Sequence, residues 1–376
     1  MRIAVARETD SNEDRVAATP ETVRKMKSLG AEVVVEPGAG VKSGFPDTEY
    51  TAAGATIVTD AAKDADVVLK VRRPGALEVA PYKPGALVIA IMDPFGNEAA
   101  LKALAGAGLV SFAMELMPRI TRAQSMDVLS SQANLAGYRA VIDGASEYGR
   151  ALPMMMTAAG TVPAARVFIM GAGVAGLQAI ATARRLGAVV TATDVRPAAK
   201  EQVERLGAKF IAVEDEEFKQ AETAGGYAKE MSAEYKKKQA ELVASHIANQ
   251  DIVITTALIP GRPAPRLITK AMVESMKPGS VIVDLAAERG GNVEGTVPGE
   301  IAQHNGVTIM GLTNVAGLVP GNASALYARN LYAFLEPQID KKQGNLAIKW
   351  DDEVITGTLI AKDGQIVHPR LKGGAA

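Results

Sequence analysis

The sequence predicts an α/β protein with two doubly wound parallel-sheet domains flanking a cleft, and a β-hairpin near the C-terminus. Two observations carry this prediction. Short β-branched runs alternate with helical patterns over the first 120 residues, and a second alternation begins near Arg166. Strands and helices that alternate in this way form parallel sheets with helices on both faces. We predict domains at residues 1–126 plus 320–376 and at residues 127–319.

The first alternation contains five apolar runs that are short enough for buried strands. These runs are Ile3–Ala6, Glu32–Glu36, Val67–Val71, Leu87–Ile91 and Leu109–Ala113. Between them, Pro20–Leu29 and Asn97–Ala105 have helical periodicity, and proline suits the first position of a helix. Met126–Tyr148 has few helix breakers, so we expect a long helix that connects the two alternations.

The second alternation contains six predicted strands. They are Val167–Met170, Val189–Thr193, Phe210–Val213, Ile252–Thr255, Val281–Leu285 and Thr308–Met310. In the tail, Ser324–Leu335 is predicted to be helical, and Leu346–Trp350 is predicted to pair with Val354–Ile360 as a hairpin. Because the second sheet is already complete, we assign the tail to the first domain. The chain would then cross twice between domains and leave a cleft, a common place for a ligand.

Composition excludes several classes of function. The 41 Lys and Arg residues balance 42 Asp and Glu residues, so the basic surface expected of a nucleic-acid-binding protein is missing. The chain has no cysteine, which excludes disulfides, thiolate nucleophiles and zinc–thiolate sites, and we predict no metal site. No run approaches the roughly 18 apolar residues of a membrane span. The N-terminus has no apolar segment typical of a signal peptide.

A glycine turn opens the second alternation. Gly171, Gly173 and Gly176 have the spacing G-x-G-x-x-G and follow an apolar run. In a Rossmann-like fold the first glycine permits a tight turn, the second lets the backbone approach a pyrophosphate, and the third lets the helix pack close to the strand. Val174 and Ala175 begin that helix, whose N-terminal amides face the anion. The pattern predicts dinucleotide binding, with a purely structural turn as the alternative.

An acidic residue closes the next predicted strand. Asp194 stands where a carboxylate accepts hydrogen bonds from an adenosine ribose and repels a 2′-phosphate. This position favours NAD(H) over NADP(H). Arg196, two residues later, makes that preference less sharp.

The densest polar cluster lies within residues 114–144, MELMPRITRAQSMDVLSSQANLAGYRAVIDG. If this segment is helical, Gln124, Asp127 and Ser130 recur at a spacing of three and share a helix face. An amide, a carboxylate and a hydroxyl are groups that hydrogen-bond a nicotinamide carboxamide and its ribose, and Arg119 adds a cation. A solvated helix face with N-terminal capping explains the same residues equally well.

A double glycine followed by an aromatic residue, Gly225-Gly226-Tyr227, interrupts a polar helical pattern. A hinged lid has this composition, with Tyr227 closing on the cofactor. An exposed loop is the alternative, and the residues alone favour it. The neighbouring run Lys236–Lys238 is typical of a solvated helix face.

The three histidines, His246, His304 and His368, stand outside these clusters, which favours core or surface roles for them. A dehydrogenase that acts on an alcohol or an amine must also move a proton, usually through His, Lys or a carboxylate. A hydride passed between two nicotinamides needs no protein base, because the cofactors carry that chemistry and the protein positions them.

Four longer runs carry a family resemblance: MELMPRITRAQSMDVLSSQANLAGYRAVIDGA, MMMTAAGTVPAARVFIMGAGVAGLQAIATARRLGA, ETAGGYAKEM and DIVITTALIPGRPAP. They resemble the NAD(H)-binding component of proton-translocating transhydrogenase. With NEDRVAATPETV near the N-terminus, the resemblance covers nearly the whole chain. RAQSMD and GGYAKEM are its specific parts, since the related alanine dehydrogenases are not expected to have them.

The resemblance implies that NAD(H) binds to the second domain and exchanges a hydride with NADP(H) on a partner component. It also implies that a membrane-spanning component on a separate chain couples this step to proton translocation. The component forms a homodimer and would be cytoplasmic, peripheral to the inner face of the cell membrane. No nucleic acid and no direct membrane insertion are expected.

The resemblance also implies roles for individual residues. The nicotinamide end would be lined by Arg119, Gln124, Asp127 and Ser130, with Gln124 nearest the partner's nucleotide. Gly226 and Tyr227 would belong to a mobile loop. Asp194 would hold the adenosine ribose, and Ala257 and Leu258 would border the adenine half.

Some features match alanine dehydrogenase instead. Residues 314–320 have a longer spacing than transhydrogenase components usually have, and Arg15 and Lys70 match positions that hold pyruvate in that enzyme. However, its catalytic histidine should fall in Ile89–Asn97, where this chain has none. We therefore interpret Arg15 and Lys70 as inherited structure. A soluble alanine-dehydrogenase-like enzyme and a non-catalytic NAD(H)-binding regulator stay as alternatives.

Overall fold

The computed structural model of the protein describes residues 1–220, 231–259 and 261–372. The chain forms two compact units, Met1–Gln132 with Ala316–Ala376, and Ala133–Val315. Among the described residues, no helix combines the length and apolar character that crossing a bilayer requires. Strands and helices are numbered below along the chain.

The first unit contains a sheet of eight strands within the described residues. Its strands are β1 (Arg2–Val5), β2 (Glu32–Val35), β3 (Thr56–Ile57), β4 (Val67–Arg72), β5 (Leu87–Ile91), β6 (Val110–Ala113), β18 (Leu359–Lys362) and β19 (Gln365–Ile366). They are ordered β19-β18-β6-β5-β4-β1-β2-β3. Strands β1 to β6 pair in parallel, whereas β18 runs antiparallel to both β6 and β19.

Helices pack on both faces of this sheet. They are α1 (Pro20–Ser28), α2 (Asp47–Ala52), α3 (Ala76–Val79), α4 (Glu98–Gly106), α11 (Pro320–Leu335) and α12 (Glu353–Thr358). Side chains alternate between the faces, so Ile3 and Val5 join one apolar core while Ala4 joins the other. A two-stranded ribbon of β16 (Ile339–Asp340) and β17 (Asn345–Leu346) completes the unit.

The second unit contains a sheet of seven strands in the portion of the chain that the structure describes. Its strands are β9 (Arg166–Met170), β10 (Val189–Thr193), β11 (Lys209–Phe210), β12 (Ile252–Thr255), β13 (Val281–Asp284), β14 (Ile301–His304) and β15 (Val307–Met310). The order β11-β10-β9-β12-β13-β15-β14 reverses direction at β9, as in dinucleotide-binding sheets. Only β14 among these strands is antiparallel to its neighbour.

Helices cover both faces of the second sheet as well. They are α5 (Val128–Glu147), α6 (Val174–Arg185), α7 (Pro197–Arg205), α8 (Glu216–Lys219), α9 (Ala233–Ile247) and α10 (Lys270–Ser275). Val167 and Ile169 point into one core and Phe168 and Met170 into the other. A separate hairpin, β7 (Met155–Thr157) and β8 (Gly160–Val162), has exposed residues throughout.

The predicted α/β class with two parallel-dominated sheets is confirmed, and so is the C-terminal hairpin. Its predicted position was wrong, because the hairpin joins β18 to β19 and residues 353–358 are helical. Asp352 accepts a hydrogen bond from the Val354 amide at 2.8 Å and caps that helix. Capping therefore overrides the β-branched composition of this segment.

Candidate functional site

The glycine turn of the second unit has the geometry that its spacing predicts. Gly171 has a φ of +107°, a conformation that a residue with a side chain rarely adopts. A Cβ on Gly176 would lie 1.8 Å from the carbonyl oxygen of Gly171, so only glycine lets α6 pack this close to the turn. The Thr256 hydroxyl donates to the same carbonyl oxygen at 3.1 Å and ties the end of β12 to the turn.

The second glycine faces open space. A Cβ placed on Gly173 would meet no described atom within 4 Å. Gly173 also begins α6: its carbonyl accepts the first helical hydrogen bond, from Leu177 at 2.8 Å, and it offers no capping side chain. The amides of the first turn of α6, including those of Val174 and Ala175, lie at the positive end of the helix dipole. This arrangement fits the pyrophosphate of a dinucleotide.

Asp194 lies beside this turn. Its Oδ2 accepts from the Ala172 amide at 2.8 Å, which joins the end of β10 to the glycine turn. Arg196 forms a two-point ion pair with the same carboxylate, Nε to Oδ1 and Nη2 to Oδ2, each at 2.9 Å. Burial raises the pKa of Asp194, but the hydrogen bonds from Arg196 and Ala172 outweigh it and hold that pKa below its ordinary value. The carboxylate is therefore ionised at neutral pH.

A glycine on α5 supports the turn from behind. A Cβ on Gly137 would lie 2.0 Å from the carbonyl oxygen of Ala175, in the first turn of α6. Glycine inside a helix costs about 1 kcal/mol relative to alanine, so its presence needs a packing reason. The close approach of two helix backbones supplies that reason. Gly137 was not predicted, because nothing in the sequence indicates which helix lies against α6.

Ala257 and Leu258 follow β12 in the same unit. The side chain of Asn292, which is fully buried, accepts from the Ala257 amide at 3.0 Å and donates to the Ala257 carbonyl at 2.9 Å. Leu258 and Ile259 expose about half of their surface. The loop thus presents an apolar surface on a backbone fixed by Asn292. Sequence analysis did not find Asn292, since buried amides that bond to distant backbone groups leave no local pattern.

The polar segment of the first unit is not one continuous helix, as predicted for Gln124, Asp127 and Ser130. Residues Thr121–Met126 form a 3₁₀ turn that contains Gln124, and α5 begins only at Val128. Asp127 accepts from the Ser130 amide at 2.9 Å and from the Ser130 hydroxyl at 2.5 Å, which is an N-terminal cap. The capping interpretation therefore holds for Asp127 and Ser130. The side chains of Arg119 and Gln124 are exposed.

Two predicted cofactor residues, Gly226 and Tyr227, lie outside the described residues. The neighbouring run Lys236–Lys238 is exposed on α9, which confirms a solvated helix face. Across the described parts of the chain, no cluster of His, Asp or Glu could hold a metal ion.

Arg15 and Lys70 are enclosed by carboxylates in the first unit. Arg15 binds both oxygens of Glu13 at 2.7 Å and donates to Gln132 at 2.8 Å. Lys70, which is only 1% exposed, donates to Glu78 at 2.7 Å and lies 3.6 Å from Glu8. Both cations thus have internal anions as partners, which fits a structural role.

Each histidine has a structural contact. His246 pairs with the Thr191 hydroxyl at 2.9 Å and packs edge-on against Phe168. His304 lies 3.1 Å from Glu274, and His368 accepts from the Arg370 amide. Near the position of the missing histidine, Glu115 accepts from the Met92 amide at 2.9 Å.

Comparison with known proteins identifies the family. Residues 4–136 match the family described as "Alanine dehydrogenase/PNT, N-terminal domain", and residues 140–369 match its C-terminal domain. The chain is 58% identical over its full length to the first of the chains that make up NAD(P) transhydrogenase subunit alpha in Rhodospirillum rubrum, and it covers that relative completely. This chain belongs to the alanine dehydrogenase/PNT family. Within it, the chain is a transhydrogenase alpha-subunit homologue, and the family binds nicotinamide nucleotides.

Solved structures agree with this placement. The crystal structure of transhydrogenase from Sinorhizobium meliloti is 63% identical and superimposes with a TM-score of 0.90 over 98% of this chain and 100% of that one. Alanine dehydrogenase 1 of Staphylococcus aureus is more distant, at 31% identity over 99% of this chain and 96% of the relative. The predicted resemblance to the transhydrogenase component is confirmed, with alanine dehydrogenase as the related enzyme.

Proposed function

We propose that this chain is the NAD(H)-binding subunit of a proton-translocating transhydrogenase. NAD(H) held here exchanges a hydride directly with NADP(H) on a partner component, and a separate membrane component couples this exchange to proton translocation. The observation that carries the proposal is the glycine turn with Asp194 bonded to it through the Ala172 amide. That site occurs on a chain 58% identical, from end to end, to a transhydrogenase alpha-subunit chain.

The chemistry fits the side chains that the site offers. The dihydronicotinamide supplies the hydride from its C4 position, so the protein need not accept or donate a proton in that step. The chain's own residues bind the dinucleotide and orient it. The turn amides receive the pyrophosphate, Asp194 binds the adenosine ribose, and Ala257 and Leu258 border the adenine half.

We assign the nicotinamide end to Arg119, Gln124, Asp127 and Ser130. The Asp127–Ser130 cap fixes the direction of the backbone just after the 3₁₀ turn. This cap supports Gln124, whose exposed amide is available to a nucleotide. Tyr227 and Gly226 are assigned to the loop that covers the cofactor, on the basis of the family resemblance.

An amino-acid dehydrogenase is less consistent with the buried charges. A substrate carboxylate at Arg15 and Lys70 would have to displace Glu13 and Glu78, which bind these cations at 2.7 Å. The segment Ile89–Asn97 also lacks a histidine. A non-catalytic regulator would use the same nucleotide turn but would give no purpose to Gln124.

We further propose that the subunit is a homodimer, peripheral to the inner face of the cell membrane, with its partner components on separate chains. The β7–β8 hairpin supports the homodimer. Met154, Met155 and Met156 expose 55%, 43% and 78% of their surface, and Val162 exposes 37%. Such an apolar arm is typical of a surface that a second copy covers.

The test is hydride transfer from NADH to an NADP⁺ analogue with an added NADP(H)-binding component. Gln124→Asn should slow transfer at least about tenfold while NADH affinity changes less than about twofold, since it shortens a positioning side chain. Arg122→Gln, on the same 3₁₀ turn, is the matched control and should transfer at the wild-type rate. Equal rates for both variants would remove Gln124 from the proposal.

The competing enzyme has its own assay. The isolated chain should show no alanine-dependent reduction of NAD⁺. Turnover with alanine would overturn the proposed function and move the site to Arg15 and Lys70.

A further inference from the structure

The carboxylate of Asp194 has its hydrogen-bonding capacity filled from within the chain. Oδ1 accepts from the Arg196 amide and from Arg196 Nε, both at 2.9 Å. Oδ2 accepts from the Ala172 amide at 2.8 Å and from Arg196 Nη2 at 2.9 Å. A carboxylate offers about four lone-pair sites, so these four donors occupy all of them.

A ribose diol needs two of the same sites, because each hydroxyl donates one hydrogen bond to the acid. The two backbone donors cannot leave without moving the glycine turn or the start of α7. The two donors from the Arg196 side chain can leave by rotation, since that side chain is 32% exposed. Ribose binding and the Arg196 ion pair therefore compete for the same oxygen atoms.

We propose that Arg196 is a built-in competitor of the adenosine ribose, which weakens NAD(H) binding and limits discrimination against NADP(H). The second effect follows from charge. While Arg196 is paired, it neutralises Asp194, and the acid repels a 2′-phosphate less strongly. Arg196 thus sets both the affinity and the selectivity of the site. The inference rests on the proposed role of Asp194 in binding NAD(H).

Two substitutions separate competition from simple electrostatic attraction. Arg196→Gln removes both the charge and the planar fork, whereas Arg196→Lys keeps the charge and loses the fork. If Arg196 competes, both variants bind NADH more tightly. If its charge instead attracts the nucleotide phosphates, the glutamine variant binds NADH more weakly and the lysine variant matches the wild type.

The experiment is calorimetric titration of the whole chain with NADH and with NADPH. Arg196→Gln should lower the Kd for NADH about fivefold, the scale of a partly exposed ion pair, and raise the Kd for NADPH. Arg196→Lys should lower the Kd for NADH by a smaller factor and leave NADPH binding unchanged. Arg205→Gln is the matched control: it removes one charge from the exposed end of α7, where Arg205 pairs with Glu201, and should change neither Kd.

A modified nucleotide checks the atoms involved. With NADH that lacks the adenosine 2′-hydroxyl, the gain from Arg196→Gln should shrink, because less of the diol competes for Asp194. Unchanged or weaker NADH binding by both Arg196 variants, with melting temperatures like the wild type, would overturn the inference. If the wild-type chain bound neither nucleotide, the proposed function would fail first, so the two failures are distinguishable.

Discussion

Two arginine–carboxylate pairs in this protein have the same local geometry and different surroundings. In Asp194–Arg196 and in Glu13–Arg15, the arginine follows the acid by two residues, donates its amide to it, and binds both oxygens through Nε and Nη2. The Arg196 side chain is 32% exposed, whereas that of Arg15 is 3% exposed. Arg72 also binds Glu13, and Gln132 binds Arg15.

The difference teaches that the pairing itself does not mark a ligand site. Removing one partner of a buried ion pair leaves an uncompensated charge, so the Glu13–Arg15 pair acts as a structural crosslink. The partly exposed pair beside the glycine turn can exchange its arginine for another donor at low cost. The second pair is therefore suited to a ligand, and the first is suited to holding the unit together.

The largest effect is expected from breaking the buried pair. Glu13→Gln should lower the free energy of unfolding by about 3–5 kcal/mol, because it leaves the buried guanidinium of Arg15 without its anion. Asp194→Asn should lower it by less than about 1 kcal/mol and should instead weaken NADH binding. Urea denaturation measures the first quantity and calorimetric titration the second. Similar stability losses in both variants would erase the distinction.

The next effect concerns pH and the same buried network. Burial raises the pKa of Glu8 from 4.5 to about 7, against the lowering effect of Lys70. Since the folded protein holds this proton more tightly than the unfolded chain, Glu8 contributes full stability below pH 4.5 and loses it as pH rises to about 7.

Glu8→Gln should therefore gain stability relative to the wild type as pH rises from 4.5 to about 7, by about 3 kcal/mol in total. Above about pH 7 the difference should stay constant. The measurement is urea denaturation of both proteins at several pH values. A difference that does not vary with pH would mean that the network does not shift the pKa of Glu8.

A smaller effect tests how the nucleotide turn is held. Gly137→Ala forces α5 away from the Ala175 carbonyl, and we expect about 1–2 kcal/mol of destabilisation with a roughly tenfold weaker NADH affinity. Gly144→Ala, two turns further along α5, is the matched control. A Cβ there would meet only side-chain methyl groups of Val283 and Ile252, at 3.1 and 3.3 Å. Equal NADH affinities for the two variants would contradict the supporting role of Gly137.

The smallest effect is expected from a third arginine pair, which is exposed. Arg122 forms a two-point pair with Asp352, at 3.0 and 2.8 Å, with half of its side chain in solvent. Arg122→Gln should leave the midpoint of urea denaturation unchanged, because solvent screens such pairs. A clear shift would show that exposure alone does not rank the three pairs.

The sequence predicted the elements of the fold that depend on local pattern. Apolar runs located β5, β10 and β12 with the bounds that the structure shows, and the glycine spacing predicted the turn before α6. The short strand β14 and the hairpin β7–β8 were missed, because their half-exposed or exposed residues lack an apolar run.

The candidate site was predictable only where a motif reports backbone geometry. Gly171, Gly176 and Asp194 lie as their spacing predicts. Gly137 and Asn292 were missed, since their importance comes from contacts with Ala175 and Ala257, far away in the sequence. The same limit explains why Arg15 and Arg196 could not be distinguished before their burial was known.

The most direct test of the central claim follows the hydride itself. NADH carrying deuterium at the transferable C4 position is incubated with this chain, an NADP(H)-binding partner component and NADP⁺, and the products are analysed by mass spectrometry. We expect the deuterium in NADPH, with none released to water, and no transfer without the partner. Deuterium in alanine when pyruvate and ammonium replace NADP⁺ would contradict the account and make this chain an amino-acid dehydrogenase.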